Sequence, residues 1–392
     1  MKKIRSVFLF GCILFIICAC THHGGRISVG GGFEASRTQD IYDGFLETPY
    51  GEYQLVNIWG DGGVIYYAEP GTHDFYLLCG KPECTHRTED CNACGGIAFG
   101  YYNERLYYVR VDAQGDLYLS VMKMDGTDHS DVIKLPEIED PVSGASSAGG
   151  EYCFHNGYLY MTCLDDLTET VPRTKLYRIG LSSGEVSLLF EPFFETYISV
   201  GFHLFDDRIY MKVLDRTEAF VNGPTGRESI CRLAAGNVTT NQMDMLFEHW
   251  PYFGGILPVE KDGKLYYHRP DIGYCEYDLA LGVEKVRQPA DLYLSQVSYG
   301  EDFIFARELE NAALDDDDWV TATAPWQFTV YDYNYNVVSV LPWNDLVFKP
   351  EFLFASNDCL YFSDASDHKI TCFALLSEIG TDLFKLHYAG GR

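Results

Sequence analysis

Asp262-Gly263-Lys264-Leu265-Tyr266-Tyr267 and Asn103-Glu104-Arg105-Leu106-Tyr107-Tyr108 are two copies of one pattern: a polar turn, then an aliphatic residue, then aromatic residues. The pattern occurs seven times, and Tyr or Phe directly follows the aliphatic residue in every copy. The aliphatic residues are Ile65, Leu106, Leu159, Ile209, Leu265, Ile304 and Leu360. Their mean spacing is about 49 residues, and a regular repeat of this length is typical of a fold built from similar units.

Each copy belongs to a larger unit that predicts four strands. In the second unit, the strand Ile97–Tyr101 precedes the repeated turn, and a hairpin formed by 119–124 and 132–135 follows the anchor strand. Asn-Gly and Asp-Gly turns supply the positive φ that tight hairpins need. The sequence therefore predicts an all-β fold, a β-propeller of seven four-stranded blades, with six or eight blades as alternatives. A strand around Tyr50–Tyr53 is expected to complete the seventh unit.

Two of these stretches resemble known propellers. Tyr361-Phe362-Ser363-Asp364 resembles the Tyr-Trp-Thr-Asp element of receptor-type propellers. The Asp-Gly-x-Leu-Tyr-Tyr form of the anchor is similar to TolB-type propeller domains of bacterial cell-envelope lipoproteins. The resemblance covers about residues 50–388 and implies the architecture, but it implies no particular activity because propellers carry many unrelated functions.

The amino terminus has the features of a lipoprotein export signal. Three basic residues in Met1–Arg5 precede a short apolar run that ends in Ile17-Cys18-Ala19-Cys20, which resembles a bacterial lipobox. The resemblance implies cleavage before Cys20 and attachment of a lipid to its sulfur, which would anchor the chain stably in a membrane. An ordinary secretory signal is the alternative. We expect a signal peptide over 1–19, a lipidated flexible tether over 20–45 and a propeller domain over 46–392.

The chain is strongly acidic, with 57 Asp and Glu against 29 Lys and Arg and a net charge of −28. Nucleic acid is excluded as a partner because its phosphates require a basic surface. An acidic body suits a protein held away from anionic lipid headgroups by a tether. We expect an exported protein on the outer leaflet of the cell membrane, or on an outer membrane if the cell has one.

A cysteine-rich segment, here called the knuckle and defined as residues 79–94, interrupts the first unit. Its spacing is Cys-x4-Cys-x-His-x4-Cys-x2-Cys, and we expect it to replace a fourth strand. Three states are open. Cys79, Cys84, His86 and Cys91 are a donor set for one structural zinc, with Cys94 as a fifth candidate. Two disulfides, such as Cys79–Cys84 and Cys91–Cys94, are equally compatible with an exported chain, and free thiols are the third state. The lipoprotein propellers named above have a comparable knuckle without Cys94.

Two further segments are relevant to function. An insertion at 308–326 in the sixth unit contains Asp315, Asp316, Asp317, Asp318, Trp319 and Trp326. Acidic and Trp-bearing loops are common contact surfaces, so we expect this loop to face a partner. Gly180-Leu181-Ser182-Ser183-Gly184 matches the Gly-x-Ser-x-Gly motif of serine hydrolases, but it lies between two predicted strands. We interpret it as a hairpin turn, because the motif requires a following helix.

The remaining six cysteines, at 153, 163, 231, 275, 359 and 372, lie mostly within predicted strands and are expected to be buried free thiols. No phosphate-binding loop, zinc-protease motif or dinucleotide fingerprint is present. The expected function is therefore a binding module for a peptide, a glycan or an envelope protein. A propeller glycan hydrolase or lyase with carboxylates facing the channel is the alternative.

Overall fold

The computed structural model describes residues 44–58, 62–86, 91–136, 151–165, 173–216, 231–250, 257–269, 272–289, 292–310, 313–314, 320–321, 327–341, 350–356, 358–364 and 370–388. Within these ranges the chain forms seven antiparallel sheets and one additional two-stranded ribbon. This confirms the predicted fold class, a seven-bladed β-propeller. No helix within the described ranges is long and apolar enough to cross a membrane.

The strands of each sheet follow one another along the chain. The first three sheets contain β1 (Phe45–Thr48), β2 (Gly51–Ile58), β3 (Gly62–Ala68), β4 (Tyr76–Leu77) and β5 (Cys94–Gly96); β6 (Ala98–Tyr102), β7 (Arg105–Val111), β8 (Leu117–Lys123) and β9 (Ser130–Lys134); and β10 (Tyr152–His155), β11 (Tyr158–Asp165), β12 (Arg173–Gly180) and β13 (Val186–Leu189). A one-turn helix, α1 (Glu191–Phe194), leads to the fourth sheet.

The later sheets have the same order. They contain β14 (Tyr197–Phe205), β15 (Arg208–Asp215), β16 (Cys231–Asn237) and β17 (Gln242–Trp250); β18 (Val259–Lys261), β19 (Lys264–Arg269), β20 (Gly273–Asp278) and β21 (Val283–Pro289); β22 (Leu292–Tyr299), β23 (Phe303–Glu310), β26 (Gln327–Asp332) and β27 (Val337–Leu341), with the ribbon β24 (Ala313–Leu314) and β25 (Val320–Thr321); and β28 (Pro350–Ala355), β29 (Cys359–Asp364), β30 (Ile370–Leu375) and β31 (His387–Tyr388). A 3-10 helix, Leu376–Glu378, follows β30.

The chain divides into two compact units, and the boundary passes through the first sheet. One unit contains Asn57–Ile65 and Leu77–Tyr252, and the other contains Tyr66–Tyr76 and Phe253–Arg392 together with the strands before Asn57. The first unit has one apolar core between its second and third sheets and another between its third and fourth. The second unit has a core between the sixth and seventh sheets.

The repeated anchor occupies the same place in every sheet. All seven aliphatic anchor residues are 0% exposed, so each contributes its whole side chain to the core. Four of the preceding turns have the expected left-handed backbone, for example with φ of 49° at Asn156 and 78° at Gly157. Since only Gly and a few polar residues adopt this conformation at low cost, the turn sequence fixes the hairpin register.

The seventh sheet is completed by a strand from the C-terminal part of the chain. The short strand β31 pairs with β30, so the sheet order is β28-β29-β30-β31. The expectation that Tyr50–Tyr53 would complete this sheet is wrong. Gly51, with φ 132°, instead starts β2, which turns back on β1 in the first sheet. Phe384 is buried in the core between the sixth and seventh sheets, and the chain continues from it into β31.

Candidate metal centre

Both ends of the knuckle lie beside a single strand, β3. Before it, the Leu78 N–H donates to the Ile65 carbonyl at 3.0 Å; near its end, the Ile65 N–H donates to the Ala93 carbonyl at 2.8 Å. The short strands β4 and β5 on either side of the knuckle both lie along β3. The loop thus takes the position of an outer strand, and its two ends are held close together.

This closure brings together four of the five candidate ligands. The Sγ atoms of Cys79, Cys84 and Cys91 and a ring nitrogen of His86 all lie within 4.8 Å of one another. Cys79 and Cys91 are buried, whereas Cys84 and His86 are partly exposed. Cys94 is not a member of this group; its N–H donates to the Cys91 carbonyl at 2.9 Å, in a tight turn. The cluster can hold a metal ion, and three thiols with one imidazole are a common structural zinc set.

The backbone provides donors to the sulfur atoms. The His86 N–H donates to Cys84 Sγ and the Ala93 N–H donates to Cys91 Sγ, both at 3.4 Å. In each pair the donor lies two residues after the cysteine. Such hydrogen bonds favour the thiolate, which is the metal-binding form. The backbone of the knuckle therefore supports two of its sulfur atoms as hydrogen-bond acceptors.

The thiols differ in acidity. Burial raises the pKa of Cys79, but the backbone N–H groups of Lys81 and Asn92 and the thiols of Cys91 and Cys84 outweigh burial and hold the pKa below its ordinary value. Burial raises the pKa of Cys91 to about 12, and the neighbouring thiols add to the effect. One thiolate in the cluster thus opposes the ionisation of the next. A divalent cation removes this opposition, because it attracts every thiolate.

None of the ten cysteines in the described part of the chain forms a disulfide. The pairs Cys79–Cys84 and Cys91–Cys94 are one of the pairings that the disulfide alternative allows. The six strand cysteines are buried, as expected. Cys153 lies opposite Tyr160 in the β10–β11 pair.

The knuckle packs directly on the second sheet. Gly126 lies in the turn between β8 and β9 with φ 73°, and a Cβ there would lie 2.0 Å from the Asn92 carbonyl oxygen. Gly96, with φ 64°, approaches the Val109 carbonyl just as closely. Both contacts require glycine because of the backbone conformation and the lack of space. The Cys/His cluster of the knuckle thus lies beside the second sheet, and both belong to one compact unit.

A second group of metal-binding residues lies elsewhere and was not predicted from the sequence. His73, Asp358 and Cys359 each offer one donor atom within 4.8 Å of the others. His73 follows the first repeated strand, Asp358 precedes the last one and Cys359 begins it, so no local spacing indicates the group. Cys359 was expected only to be a buried thiol, and it is one.

The other predicted residues fall into two sets. Cys20, Asp315, Asp316, Asp317, Asp318, Trp319 and Trp326 lie outside the described residues. The Gly180–Gly184 segment is described, and it forms the turn between β12 and β13, with the Gly184 N–H donating to the Gly180 carbonyl at 2.8 Å. A strand follows it instead of a helix. The interpretation as a hairpin turn is confirmed.

Three carboxylates are buried within the described ranges: Glu52, Glu276 and Glu308. Burial raises the pKa of Glu276, but hydrogen bonds from Lys264 and Arg287 outweigh burial and keep the pKa low. Glu308 accepts hydrogen bonds from Tyr331 at 2.7 Å and Tyr274 at 3.1 Å. Burial still raises the pKa of Glu308 above its ordinary value.

The third buried carboxylate, Glu52, accepts a hydrogen bond from the Tyr361 hydroxyl at 2.5 Å. Each buried carboxylate is therefore hydrogen-bonded to tyrosine or to basic side chains. Neither of the two metal-binding groups found in the described residues contains a pair of carboxylates.

Comparison with known proteins supports the fold. No family model matches the chain. No curated protein matches it by sequence. Among solved structures, one from a study of two prolyl endopeptidases has a TM-score of 0.52 at 11% identity, covering 88% of this chain and 48% of that one. The chain therefore spans about half the length of that endopeptidase.

Two further structures are similar at lower scores. BamB from Moraxella catarrhalis has a TM-score of 0.41 at 9% identity, covering 82% of this chain and 93% of that one. The propeller domain of the Trilobed protease from Pyrococcus furiosus, described as having an open velcro topology, has a TM-score of 0.43 at 10% identity. It covers 83% of this chain and 88% of that one. At these identities the likeness concerns the fold alone.

Proposed function

We propose that this chain is a lipid-anchored, extracytoplasmic β-propeller that acts as a binding module at the bacterial cell envelope. The observation that carries the choice of a binding module over an enzyme is the state of the buried carboxylates. Of the three buried carboxylates in the described residues, Glu52 and Glu276 are hydrogen-bonded to tyrosine or to basic side chains, and only Glu308 has a buried oxygen without a partner. Glycoside hydrolysis requires two carboxyl groups facing one substrate, with at least one free to transfer protons.

The proposed location rests on the amino-terminal sequence. The lipobox-like Ile17–Cys20 is followed by glycine-rich segments, Gly24-Gly25 and Gly30-Gly31-Gly32, which suit a flexible tether. A diacylglyceryl group on Cys20 would hold the acidic propeller outside the bilayer. Its net negative charge would keep the body away from anionic headgroups.

The knuckle has a structural role in this proposal. A zinc ion held by Cys79, Cys84, His86 and Cys91 has four protein ligands and no open position for a substrate. It would fix the loop that stands in place of an outer strand of the first sheet. The positive ion would offset the negative charge of three thiolates. The second sheet would provide the surface against which the knuckle packs.

The contact surface in this proposal is the insertion in the sixth sheet. Acidic side chains at 315–318 and the indoles of Trp319 and Trp326 would provide charge and flat apolar area. Trp is among the residues that contribute most to binding interfaces. A peptide with basic residues, a glycan or an envelope protein would suit this combination of groups.

One observation favours the alternative, a propeller glycan hydrolase or lyase. Glu308 is 1% exposed, and its Oε2 atom has no hydrogen-bond partner in the described part of the chain. A buried carboxyl with a raised pKa is the usual form of a general acid. If Glu308 acts in this way, Glu308→Gln will abolish any glycan cleavage and leave glycan binding intact.

Membrane fractionation tests the anchoring. We expect the wild-type chain in the membrane fraction and the Cys20→Ala chain released from it, because alanine has no sulfur to acylate. Cys18→Ala is the matched control and should remain processed and membrane-bound. Equal lipid labelling of Cys20→Ala and wild type would contradict the proposal.

Array binding tests the binding module. We expect the full-length chain in detergent to bind a subset of glycans or peptides, and the Trp319→Ala, Trp326→Ala double variant to lose at least tenfold in affinity, which corresponds to about 1.4 kcal/mol. Leu281→Ala, at an exposed side chain of the fifth sheet, is the control and should bind normally. Cleavage of an array glycan by the wild type would instead support the hydrolase.

A further inference from the structure

A second Cys/His cluster lies where the first and last sheets of the chain meet. His73 is in the loop after β3, and Cys359 begins β29, 286 residues later. Both residues are buried, and both belong to the same compact unit. We call His73, Asp358 and Cys359, with their neighbours Glu52 and Tyr361, the inter-sheet cluster.

The hydrogen bonds of the inter-sheet cluster fix the tautomer of His73. The Tyr361 hydroxyl donates its one proton to Glu52 Oε2 at 2.5 Å. Its oxygen therefore accepts the hydrogen bond that joins it to His73 Nδ1 at 2.6 Å, and Nδ1 must carry a proton. In the neutral ring the other nitrogen, Nε2, then has a free lone pair. Metal-binding histidines are oriented in this way, with the second ring nitrogen donating to a neighbouring group.

The second ring nitrogen of His73, Nε2, lies at hydrogen-bonding distance from a buried sulfur. Cys359 Sγ is 3.5 Å from His73 Nε2 and 3.6 Å from Nδ1. Since Nδ1 is engaged by Tyr361, Nε2 is the atom available to a ligand shared with Cys359. The Asp358 carboxylate has an oxygen within 4.8 Å of Cys359 Sγ and of a ring nitrogen of His73. Ligands bonded to one zinc at about 2.0–2.3 Å lie about 3.5 Å from each other.

The backbone holds these donors in place without a metal. His73 has a left-handed φ of 56°, and its ring lies 4.7 Å from the ring of Phe373. On the other side, the Cys359 N–H donates to Ser356 Oγ at 3.1 Å. The Ser356 hydroxyl contacts Asp358 Oδ1, also at 3.1 Å. A strained residue held by packing and hydrogen bonds is typical of a functional site.

We propose that His73, Asp358 and Cys359 form a second metal site that binds a borderline-soft divalent cation such as zinc and joins the first sheet to the last. The donors are imidazole nitrogen, thiolate sulfur and carboxylate oxygen, a combination that suits zinc. On binding, the Cys359 thiol and, where the His73 ring is charged, its Nε2 give their protons to solvent, and the sulfur and Nε2 bond to the cation. The thiolate and the Asp358 carboxylate together balance the two positive charges.

The fold indicates which sheets this site connects and how a cation reaches it. Because β31 completes the seventh sheet from its own end, side chains of the inter-sheet cluster connect that sheet to the first. Asp358 is exposed, whereas Cys359 is 0% exposed, so the cation would reach the sulfur past the carboxylate. Three protein ligands leave a fourth position for water.

Zinc content tests the site. The full-length chain is purified in detergent under reducing conditions, incubated with zinc, desalted and measured by mass spectrometry of the metal. We expect Cys359→Ser and His73→Asn each to contain one zinc less per chain than wild type. Asn is chosen because it tolerates the left-handed backbone at position 73. Cys372→Ser, at a buried cysteine of β30 outside the cluster, should keep the wild-type content.

The knuckle is separated by Cys84→Ser, which removes a ligand of that centre only. A wild-type zinc ion that is lost in Cys359→Ser and kept in Cys84→Ser supports the inter-sheet site, whatever the knuckle binds. Wild-type zinc content in both Cys359→Ser and His73→Asn overturns it. If these variants do not fold, cobalt titration of the wild type decides. A cobalt ion with the weak sulfur-to-metal absorption of one thiolate supports the site, whether it binds first or second, and absorption from a three-thiolate site alone, or no binding, overturns it.

Discussion

The knuckle and the inter-sheet cluster contain similar side chains, but they are assembled in opposite ways. In the knuckle, all four donors lie between Cys79 and Cys91, and backbone N–H groups bond to the sulfurs. In the inter-sheet cluster, the donors come from the two ends of the propeller, and a tyrosine and a glutamate orient the histidine. A local loop creates the first centre, whereas the tertiary fold creates the second.

The two regions also differ in apolar support. Apart from cysteines, the core around the knuckle consists of Ala93 with the partly buried Leu77 and Leu78. The core around Cys359 includes the aromatic rings of Phe45 and Tyr361, with Phe75 and Phe373 packed against them. Large aromatic rings contribute far more burial energy than small side chains. The knuckle should therefore depend on its metal for structure, and the inter-sheet cluster should remain folded without one.

Removal of metal should cause the largest loss of local stability, and this loss should be confined to the knuckle. At free zinc 1,000-fold above the dissociation constant, binding stabilises the folded state by about 4 kcal/mol. We expect a chelator to speed hydrogen exchange at the Ala93 and Cys94 amides by a factor corresponding to this energy. The amides of Phe362 and Phe373 should change much less. Equal acceleration in both regions would show that the two centres have the same dependence on metal.

The contact between the knuckle and the second sheet should give the next largest effect on stability. Gly126→Ala adds a Cβ that would lie 2.0 Å from the Asn92 carbonyl oxygen, at φ 73°. We expect a loss of about 3 kcal/mol in the free energy of unfolding, from left-handed strain and overpacking together. Gly263→Ala is the matched control, because its φ is 72° and nothing lies within 4 Å of the added atom. It should lose only the strain energy, about 1–2 kcal/mol.

Chemical denaturation measures both glycine variants. Gly126→Ala should also bind zinc more weakly than Gly263→Ala, because the clash displaces the segment between Cys91 and Cys94. If the two variants lose the same stability and bind zinc equally, the contact between the knuckle and the second sheet has no energetic importance.

The contrast explains what the sequence predicts and what it does not. The repeated anchors were predicted because a hairpin is local: its turn residues and the alternation of side chains fix which residues are buried. All seven aliphatic anchors are 0% exposed, as this reasoning requires. The knuckle was predicted for the same reason, since its ligands lie within thirteen residues.

Contacts between sheets that are far apart in the sequence were not predicted. The approach of His73 to Cys359 depends on the path of the whole chain between them, and no residue spacing records it. The pairing of Tyr50–Tyr53 was wrong for the same reason. An edge strand offers its hydrogen bonds to any neighbour, and the sequence did not indicate that β1 and β31 would occupy the two available places.

The tyrosine of the inter-sheet cluster should matter more than an exposed one. Tyr361→Phe removes the hydroxyl that joins His73 to Glu52, and both partners are buried. We expect a loss of about 2 kcal/mol in the free energy of unfolding, because buried polar groups lose a partner. Tyr67→Phe removes an exposed hydrogen bond to the Tyr50 carbonyl and should lose about 0.5 kcal/mol. Equal losses would show that the hydrogen bonds of the cluster add nothing to its packing.

A histidine outside both centres gives the smallest effect and shows what burial alone does. His155 Nε2 lies at hydrogen-bonding distance, 2.5 Å, from the Asp206 carbonyl oxygen. Burial lowers the pKa of His155 below its ordinary value, although the Asp206 carbonyl partly opposes this. The unfolded chain, with a histidine pKa of about 6.5, therefore binds the proton more tightly than the folded chain. Stability should fall as the pH is lowered from about 6.5 toward the depressed pKa of the folded state.

His155→Gln tests this, since the glutamine amide can still donate to the Asp206 carbonyl. Its stability should depend less on pH than that of wild type across the same window, as measured by denaturation at a series of pH values. His73 differs because hydrogen bonding to Glu52 raises its pKa despite burial. Burial thus favours the neutral form of His155, whereas the carboxylate near His73 favours the charged form of that ring. An unchanged pH dependence in His155→Gln would mean that burial at this position does not govern its protonation.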